Sequence, residues 1–330
     1  MKRLLLACAL VLAVTQQALP YGRQGHQAVA QAAQAPDMLN QRARTAIRNL
    51  LGNQRLADVA LWADDLKGAR EGEGPLARDA EARKFNQRFP DNADWHFVNL
   101  PLASGVYTPG GPFSKPRDIV NIINECIAIL ETPPNRPTRF TKRQALRLLV
   151  HFVGDIHQPL HVVSGYYDFD AQNNAILIRD PTLARNKPHD LGGNQLVFGG
   201  QKMHGFWDTR MVERVANGNR DFNRLAIILL ARLRDPVWMN AHRAGFVNSG
   251  DHHAWAAAWA TDSLAQANQA YAGLVFGRTT FRVINGKRRI EQIDTTLPNN
   301  YADNQLDRAT TQLVKATSHL AALLNAIDWQ

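Results

Sequence analysis

Apolar residues recur at three- and four-residue spacing along most of the chain, which is the pattern of amphipathic helices. The segment 279–293 differs, because apolar residues there flank Asn285-Gly286, a dipeptide typical of two-residue hairpin turns. The helical spacing covers 24–33, 41–51, 56–67, 116–130, 141–158, 222–234, 253–274 and 304–324. We therefore expect a mainly α-helical chain with one small β-hairpin.

The interruptions of this pattern suggest loops within one domain. Ser114 is a candidate N-cap and Pro116 a candidate first-turn residue for the fourth helix. Proline and glycine mark breaks at 133–138 and 217–219, and 162–190 is long and irregular enough to predict a surface loop. No repeat or change of composition divides the 330 residues, so a single compact domain is expected.

The first twenty residues have the form of a secretory signal peptide. Lys2 and Arg3 precede an apolar run at 4–14, which is too short to span a bilayer, and a more polar tail at 15–20. No later run is long and apolar enough to cross a membrane. We expect residues 21–330 to form the mature protein, either secreted or periplasmic.

Removal of residues 1–20 lowers the formal net charge from +9 to +7, since it takes away Lys2 and Arg3 and no acidic residue. A basic exported protein favours polyanions such as nucleic acid or an anionic lipid surface, although many exported proteins are simply basic. Cys8 is lost with the signal, which leaves Cys126 in an apolar stretch as a predicted core residue. No intrachain disulfide is then possible, and a metal ion is the remaining candidate for a cross-link.

The segment 151–161 concentrates the side chains that bind metals. His151 and Asp155 stand four residues apart, so on a helix they lie on one face and can reach one ion. Pro159 ends that helix, and His161 can turn back toward the same cleft or toward a second ion. His157 lies two residues beyond Asp155 and points away from that face.

A second pair, His204 and Asp208, repeats the four-residue spacing. One such pair often only stabilises a helix, but two pairs in one chain favour a metal site. Imidazole with carboxylate suits Zn²⁺, and several ligands suggest neighbouring ions of the kind that hydrolyse phosphoesters. Spacing alone does not assign His26, His96 and Asp64 as ligands and favours ordinary surface or core residues for each.

Taken together and in order, these stretches resemble the S1/P1 nuclease family, zinc-dependent secreted enzymes that cut single-stranded DNA and RNA. The matching stretches are Gly22-Arg23-Gln24-Gly25-His26, Trp62-Ala63-Asp64, Trp95-His96-Phe97-Val98-Asn99-Leu100, the whole of 151–161, Asp190-Leu191-Gly192-Gly193-Asn194, and 204–208. The resemblance runs from about residue 21 to about residue 325. It implies the mainly α-helical fold of the phospholipase C/P1 nuclease type.

The resemblance further implies three zinc ions in one cleft. The first is held by Asp64, His96 and His151; the second by Asp155, His26 and the main-chain amine and carbonyl of Tyr21; the third, nearer solvent, by His161, His204 and Asp208. Asp155 bridges the first two ions. The main-chain ligands of Tyr21 require signal cleavage directly before it.

By the same resemblance, Asp64 and Lys67 are catalytic, Phe97 stacks on a base, Asn99 contacts a base edge, and Asn194 binds substrate. Hydrolysis gives 5′-phosphorylated products, usually with 3′-nucleotidase activity. The implied partners are single-stranded DNA, RNA and 3′-nucleotides. No stable protein partner is implied, and a monomer is expected.

The chain departs from the family pattern at several positions. Tyr21 replaces the usual Trp, and Ala18 offers a competing signal cleavage that would leave two extra residues. Lys67 stands where the family carries Arg or Lys, and Asp262 stands where Glu is common. The segment 162–190 is longer than usual and either borders the substrate mouth or only decorates the surface.

Two other functions remain open. A zinc-dependent phospholipase C has the same architecture and most of the same ligands, but it typically completes its third site with His and Glu rather than the His204 and Asp208 found here. A non-catalytic zinc-binding or adhesive protein on the same scaffold would bind zinc and hydrolyse no phosphoester.

Overall fold

A computed structural model of the chain describes residues 22–246 and 248–330. Helices predominate in this part of the chain, which confirms the mainly α-helical prediction. They are α1 (Gly22–Ala33), α2 (Gln41–Leu51), α3 (Leu56–Val59), α4 (Trp62–Glu71), α5 (Ala80–Arg88), α6 (Ile119–Glu131), α7 (Lys142–His157), α8 (Met203–Gly205), α9 (Val212–Val215), α10 (Phe222–Arg234), α11 (Pro236–Ala241), α12 (Trp255–Ala270) and α13 (Tyr301–Ala326). The predicted signal peptide and Tyr21 lie outside the described residues.

Polar side chains fix where several helices begin. Asp118 caps α6, and its carboxylate accepts the Asn121 amide at 3.1 Å. Thr141 and Gln144 form a capping box at the start of α7, which satisfies amides that have no partner inside the helix. These local bonds set the register of the two helices that carry much of the core.

Helix α7 runs through the centre of the molecule. Every residue from Ala145 to His157 is buried, and the helix packs against α1, α6, α12 and α13. A helix covered on all sides must satisfy its polar side chains internally. The buried His151 and Asp155 therefore need partners from the surrounding elements.

Small sheets complete the fold. The strands are β1 (Leu100–Pro101), β2 (Val163–Ser164), β3 (Tyr167–Phe169), β4 (Ala175–Leu177), β5 (Leu196–Phe198), β6 (Gln201–Lys202), β7 (Val275–Ile284) and β8 (Lys287–Thr296). Strands β7 and β8 form the predicted hairpin, and both Asn285 and Gly286 have positive φ, as a two-residue hairpin turn requires. The hairpin continues into a four-stranded sheet of order β6-β5-β8-β7, in which β5 and β8 run parallel.

The short parallel pair β1–β2 positions the site. Leu100 pairs with Val163, and the Val98 amide donates to the His161 carbonyl at 2.9 Å. This ladder joins the segment that follows His96 to the segment that follows His161. Two parts of the chain 65 residues apart are thereby held side by side.

The prediction of one continuous helix at 56–67 is wrong, because α3 ends at Val59 and α4 begins at Trp62. The break leaves the Ala60 carbonyl facing His151, whose Nδ1 lies 2.7 Å from it. His151, a predicted metal ligand, is thus oriented by a carbonyl at a helix interruption, an arrangement that apolar spacing does not reveal.

The predicted start of α6 is also wrong, since the helix begins at Ile119 behind Asp118 and not near Ser114 and Pro116. Ser114 instead donates its hydroxyl to the Asp118 carboxylate at 3.1 Å. The apolar spacing does not predict α5 and α11, because α5 has few apolar residues and α11, with six residues, is too short to show a period. Helix α12 is shorter than the predicted 253–274, and α13 is slightly longer than the predicted 304–324.

The segment 162–190 is only partly the surface loop that was predicted. Its first residues, through Tyr167, are buried and include β2, while β3 and β4 form a short antiparallel hairpin farther along. Pairing with β1 accounts for the burial of its start. Within the described residues, no helix combines the length and apolar character needed to cross a bilayer.

Candidate metal centre

Asp155 lies at the centre of a group of buried imidazoles. Its Oδ1 is 3.1 Å from Nε2 of His26 and 3.7 Å from Nε2 of His161. Its Oδ2 is 2.9 Å from Nδ1 of His96 and 3.2 Å from Nε2 of His151. The four imidazoles come from α1, a 3₁₀ turn at Asn92–His96, α7 and a 3₁₀ turn at Pro159–His161. One carboxylate is therefore placed to link more than one ion.

The first predicted set of ligands is brought together. Oδ1 of Asp64 lies 3.8 Å from Nδ1 of His96 and 3.7 Å from Nε2 of His151. All three side chains are at most 2% exposed. Their converging nitrogen and oxygen atoms suit a zinc ion.

His26 approaches the same region from α1. Its ring stacks on that of His151 with centroids 3.8 Å apart. A methyl group added at Gly154 would come within 2.6 Å of Nδ1 of His26, so the glycine in the middle of α7 is needed for this close approach. Tyr21, the remaining member of the second predicted set, lies outside the described residues.

The third predicted set forms an adjacent cluster. Nε2 of His204 lies 3.3 Å from Oδ2 of Asp208, and Nε2 of His161 lies 3.9 Å from Oδ1 of Asp208. A π-helix at Phe206–Met211 carries Asp208, and such bulges are frequent at functional sites. The His204 side chain is 9% exposed against 2% or less for the other two, so this cluster is the nearer to solvent.

Backbone carbonyls orient three of the imidazoles. Nδ1 of His151, His161 and His204 lies 2.7, 2.8 and 2.7 Å from the carbonyl oxygens of Ala60, His96 and Gly192, respectively. A ring that donates Nδ1–H to a carbonyl keeps the lone pair of Nε2 for a metal ion. In each case Nε2 is the atom that faces the carboxylates.

Buried polar atoms at the centre test whether metal ions fit there. Within the described part of the chain, Oδ2 of Asp64 and Nε2 of His161 are buried and have no hydrogen-bond partner. An unsatisfied buried polar atom is costly; a bound cation would satisfy the nitrogen of His161, and a water held by such a cation would satisfy the oxygen of Asp64. The side chains form three groups whose ligand atoms lie within 4.8 Å of one another: His26, Asp64 and His151; His96, His151 and Asp155; His161, His204 and Asp208. The donor set fits zinc.

The electrostatics also suit cations. Burial lowers the pKa of His96 to about 4 and that of His161 to about 3, so both rings are neutral and able to bind metal. Burial opposes charge on His151 too, but the carboxylates of Asp155 and Asp64 outweigh it and raise its pKa to about 9. Despite burial, the surrounding imidazoles hold the pKa of Asp155 well below its ordinary value. The site thus combines ionised carboxylates with buried imidazoles, and His151 must release a proton when it binds metal.

The predicted catalytic and substrate residues surround these clusters. Lys67 is one turn beyond Asp64 on α4, with Nζ 3.4 Å from Oδ1 of Asp64, and its side chain is 34% exposed. Phe97 directly follows the ligand His96 and is half-buried. Asn99 accepts a hydrogen bond from Oγ of Ser164 at 2.8 Å, and Asn194 donates Nδ2 to the Leu191 carbonyl at 2.9 Å.

The structure adds supporting residues that the sequence did not identify. Nε2 of Gln158 donates to Oδ1 of Asp208 at 2.8 Å, which fixes that ligand. The buried Asp190 carboxylate accepts the Gly193 amide at 3.0 Å and the Tyr167 hydroxyl at 2.8 Å, which holds the turn whose Gly192 carbonyl orients His204. Of the two, only Asp190 carried a sequence signal, as a polar residue beside the glycines of 190–194.

His157 is separated from the centre, in agreement with its predicted orientation. Its Nδ1 lies 2.7 Å from the Val153 carbonyl, and its Nε2 lies 2.7 Å from Nδ1 of His319 on α13. Trp259 stacks on the His319 ring with centroids 4.9 Å apart. This histidine therefore belongs to the packing between α7, α12 and α13.

Comparison with known proteins agrees with this geometry. Nuclease S1 of Aspergillus oryzae (strain ATCC 42149 / RIB 40) is 30% identical over 229 residues, which cover 66% of this chain and 63% of that protein. Endonuclease 2 of Arabidopsis thaliana is 24% identical over 200 residues, 58% of this chain and 56% of that protein. The matches thus span less than two thirds of each relative. The family model described as S1/P1 Nuclease matches residues 21–328, and the chain belongs to the S1/P1 nuclease family.

Proposed function

We propose that this protein is a zinc-dependent nuclease that hydrolyses single-stranded DNA and RNA to 5′-phosphorylated products and also removes phosphate from 3′-nucleotides. Family membership supports a nuclease acting on nucleic acid. The observation that carries the proposal is the convergence of three His/Asp clusters around Asp155 in one buried centre. Neighbouring ions in such a centre suit phosphoester hydrolysis.

The proposed ligands form three sites. Asp64, His96 and His151 would hold the first ion; Asp155, His26 and the main-chain amine and carbonyl of Tyr21 would hold the second; His161, His204 and Asp208 would hold the third. Asp155 would be shared by the first two sites, which the short distances from its two oxygens to His26, His96 and His151 support.

Zinc, when bound, activates water for attack on phosphorus and stabilises the charge on the phosphate oxygens. Two side chains of the chain itself serve the same step. Oδ2 of Asp64 has no hydrogen-bond partner in the described structure and can accept a proton from the attacking water. Burial opposes ionisation of Asp64, but His151 and Lys67 hold its pKa below the ordinary value, so the carboxylate is ionised and free of a proton.

Lys67 provides an ammonium group at the exposed side of Asp64. A partly exposed cation there can reach a phosphate oxygen of a bound strand and stabilise the negative charge that develops as the bond from phosphorus to the 3′ oxygen breaks. The 3′ oxygen leaves with a proton, and the phosphate stays on the 5′ oxygen of the following nucleotide.

Phe97, Asn99 and Asn194 are the proposed substrate contacts. Stacking on the Phe97 ring accepts every base, because every base has a π-face. Asn99 is held by Ser164, which leaves its side chain oriented for a base edge. A half-buried stacking platform beside the ligand His96 favours flexible single strands over a stiff duplex.

We further propose that residues 1–20 are a signal peptide, that residues 21–330 form the secreted or periplasmic mature protein, and that it acts as a monomer. The family match begins at residue 21, which supports this boundary. Intact-protein mass spectrometry would test it: a mature chain that begins at residue 19 would refute the proposed amine ligand of Tyr21.

Zinc-dependent phospholipase C remains the second candidate, and a non-catalytic zinc-binding protein the third. The third cluster argues against the phospholipase C, which typically has Glu at this position. Here the shorter side chain of Asp208 already places Oδ2 3.3 Å from Nε2 of His204. One experiment separates the three. The purified mature protein is incubated with single-stranded DNA, RNA, 3′-AMP and phosphatidylcholine, with and without chelator. Cleavage of the nucleic acids and 3′-AMP only without chelator supports the nuclease; hydrolysis of lipid alone, or of nothing, would overturn it.

A further inference from the structure

A second group of imidazoles converges on a carboxylate outside the centre described above. Nε2 of His252 lies 2.7 Å from Oε1 of Glu131, and Nε2 of His253 lies 2.9 Å from Oε2 of the same residue. We propose that Glu131, His252 and His253 form an accessory site for a divalent transition-metal ion, best matched by Zn²⁺. This site goes beyond the proposed function, which does not use it.

The accessory site is distinct from the catalytic centre because it lies at the opposite end of α6. The amide of Ile119, at the first residue of that helix, approaches the carbonyl of Phe97 at 3.4 Å, beside the centre. Glu131 is twelve residues farther along, a rise of about 18 Å at 1.5 Å per residue. An ion held there takes no part in the reaction.

The side chains have the right chemistry and spacing for zinc. Two imidazoles and one carboxylate are a known zinc ligand set that leaves a fourth position for water. The three ligand atoms lie within 4.8 Å of one another. Zinc bonds of about 2.0–2.1 Å in a tetrahedron separate ligands by about 3.3 Å. The nitrogen–oxygen contacts of 2.7 and 2.9 Å would therefore have to open by roughly half an ångström to admit the ion. Side-chain exposures of 18–39% leave the site open to zinc and to water.

The local charge favours a cation. Oδ1 of Asp251 lies 3.8 Å from Nδ1 of His252, in addition to the contacts of Glu131. Burial opposes ionisation of Glu131, but the Asp328 amide and His252 hold its pKa below the ordinary value. The Asp328 carboxylate is paired with Arg42 and adds little negative charge to the site. Glu131 and Asp251 thus present two carboxylates to the imidazoles.

An ion here would tie together three separate parts of the chain. Glu131 ends α6, the two histidines precede α12, and the Asp328 amide near the C-terminus donates to Oε1 of Glu131 at 3.0 Å. Cys126 is a free, buried thiol, so it does not link these segments. Metal binding coupled to folding would stabilise this corner of the molecule.

The test counts zinc. The double variant His252→Gln/His253→Gln and the wild type are saturated with Zn²⁺, desalted, and compared by inductively coupled plasma mass spectrometry and thermal unfolding. His242→Gln is the matched control, because Nε2 of His242 lies 3.1 Å from Oδ1 of Asp307 but this pair lacks a second imidazole. Glu131→Gln is a second, milder variant in case the double variant does not fold.

The expected result is one fewer zinc ion per chain in the double variant and in Glu131→Gln, with the wild-type count in His242→Gln. Zinc should also raise the melting temperature of the wild type more than that of either site variant. Activity on single-stranded DNA should be unchanged, which separates this proposal from the proposed function. Equal zinc content in the wild type and the site variants would overturn the accessory site and leave only hydrogen bonds between imidazole and carboxylate.

Discussion

Replacement of Asp155 by Asn tests the central role of this carboxylate most directly. The side chain keeps its shape but loses the charge that faces four imidazole nitrogens between 2.9 and 3.7 Å away. The side chain is fully buried, so solvent does not screen these contacts. We expect loss of at least one zinc ion per chain and loss of nuclease activity.

The size of the effect follows from the position of Asp155. Loss of a residue that only supports a metal ligand typically weakens metal binding by about 10–100-fold. Loss of a bridging ligand should therefore weaken zinc binding by at least about 100-fold. At saturating zinc, a 100-fold loss of affinity lowers the free energy of unfolding by about 2.7 kcal/mol. For a chain of this size, with an unfolding entropy of about 2.1 cal/mol/K per residue, the melting temperature should then fall by roughly 4 °C.

The assay compares zinc content, melting temperature and cleavage of single-stranded DNA. Asp65→Asn is the matched control: this carboxylate adjoins Asp64 but pairs with Arg23 at 3.0 Å, on side chains that are 15% and 47% exposed. A partly exposed pair contributes little, so the control should change stability by less than about 1 kcal/mol. An Asp155→Asn protein with full zinc content, activity and melting temperature would refute the bridging role.

Four further substitutions test the rest of the site. Gly154→Ala should displace His26, because the new methyl group would lie 2.6 Å from Nδ1 of His26. Zinc content and activity should fall while circular dichroism shows unchanged helix content. Unchanged zinc content would contradict the close approach of His26 to Gly154. Lys67→Ala should lower kcat by about 100–1,000-fold with zinc retained, because it removes one charge that stabilises the transition state; a kcat within twofold of wild type would exclude that role. Phe97→Ala should raise KM for single-stranded DNA by roughly 10-fold, since stacking contributes about 1–3 kcal/mol per base. An unchanged KM would show that Phe97 does not stack on a base. His157→Phe should lower the free energy of unfolding by about 1–3 kcal/mol through its lost hydrogen bonds but leave the zinc content unchanged; loss of zinc would make this residue a ligand after all.

Local periodicity predicted the larger helices because most of them present a regular apolar face, as α2 does with Ala43, Ile47 and Leu51. It failed where the structure depends on polar or tertiary contacts. The single helix expected at 56–67 is broken at Ala60, whose carbonyl then faces His151. Helix α6 begins at Asp118 because that carboxylate caps it, although Ser114 and Pro116 also fitted a helix start.

The sequence by itself determined the kinds of ligand and the two pairs spaced four residues apart, His151 with Asp155 and His204 with Asp208, because a helix places such residues on one face. Family resemblance extended this to His26, Asp64 and His96, which spacing alone could not assign. Only the tertiary structure decided that these side chains share one buried centre: the β1–β2 ladder aligns the segments after His96 and His161, and glycine at 154 lets α1 approach α7. Contacts between residues far apart in sequence leave no periodic pattern, so the helices could be predicted locally but the centre they enclose could not.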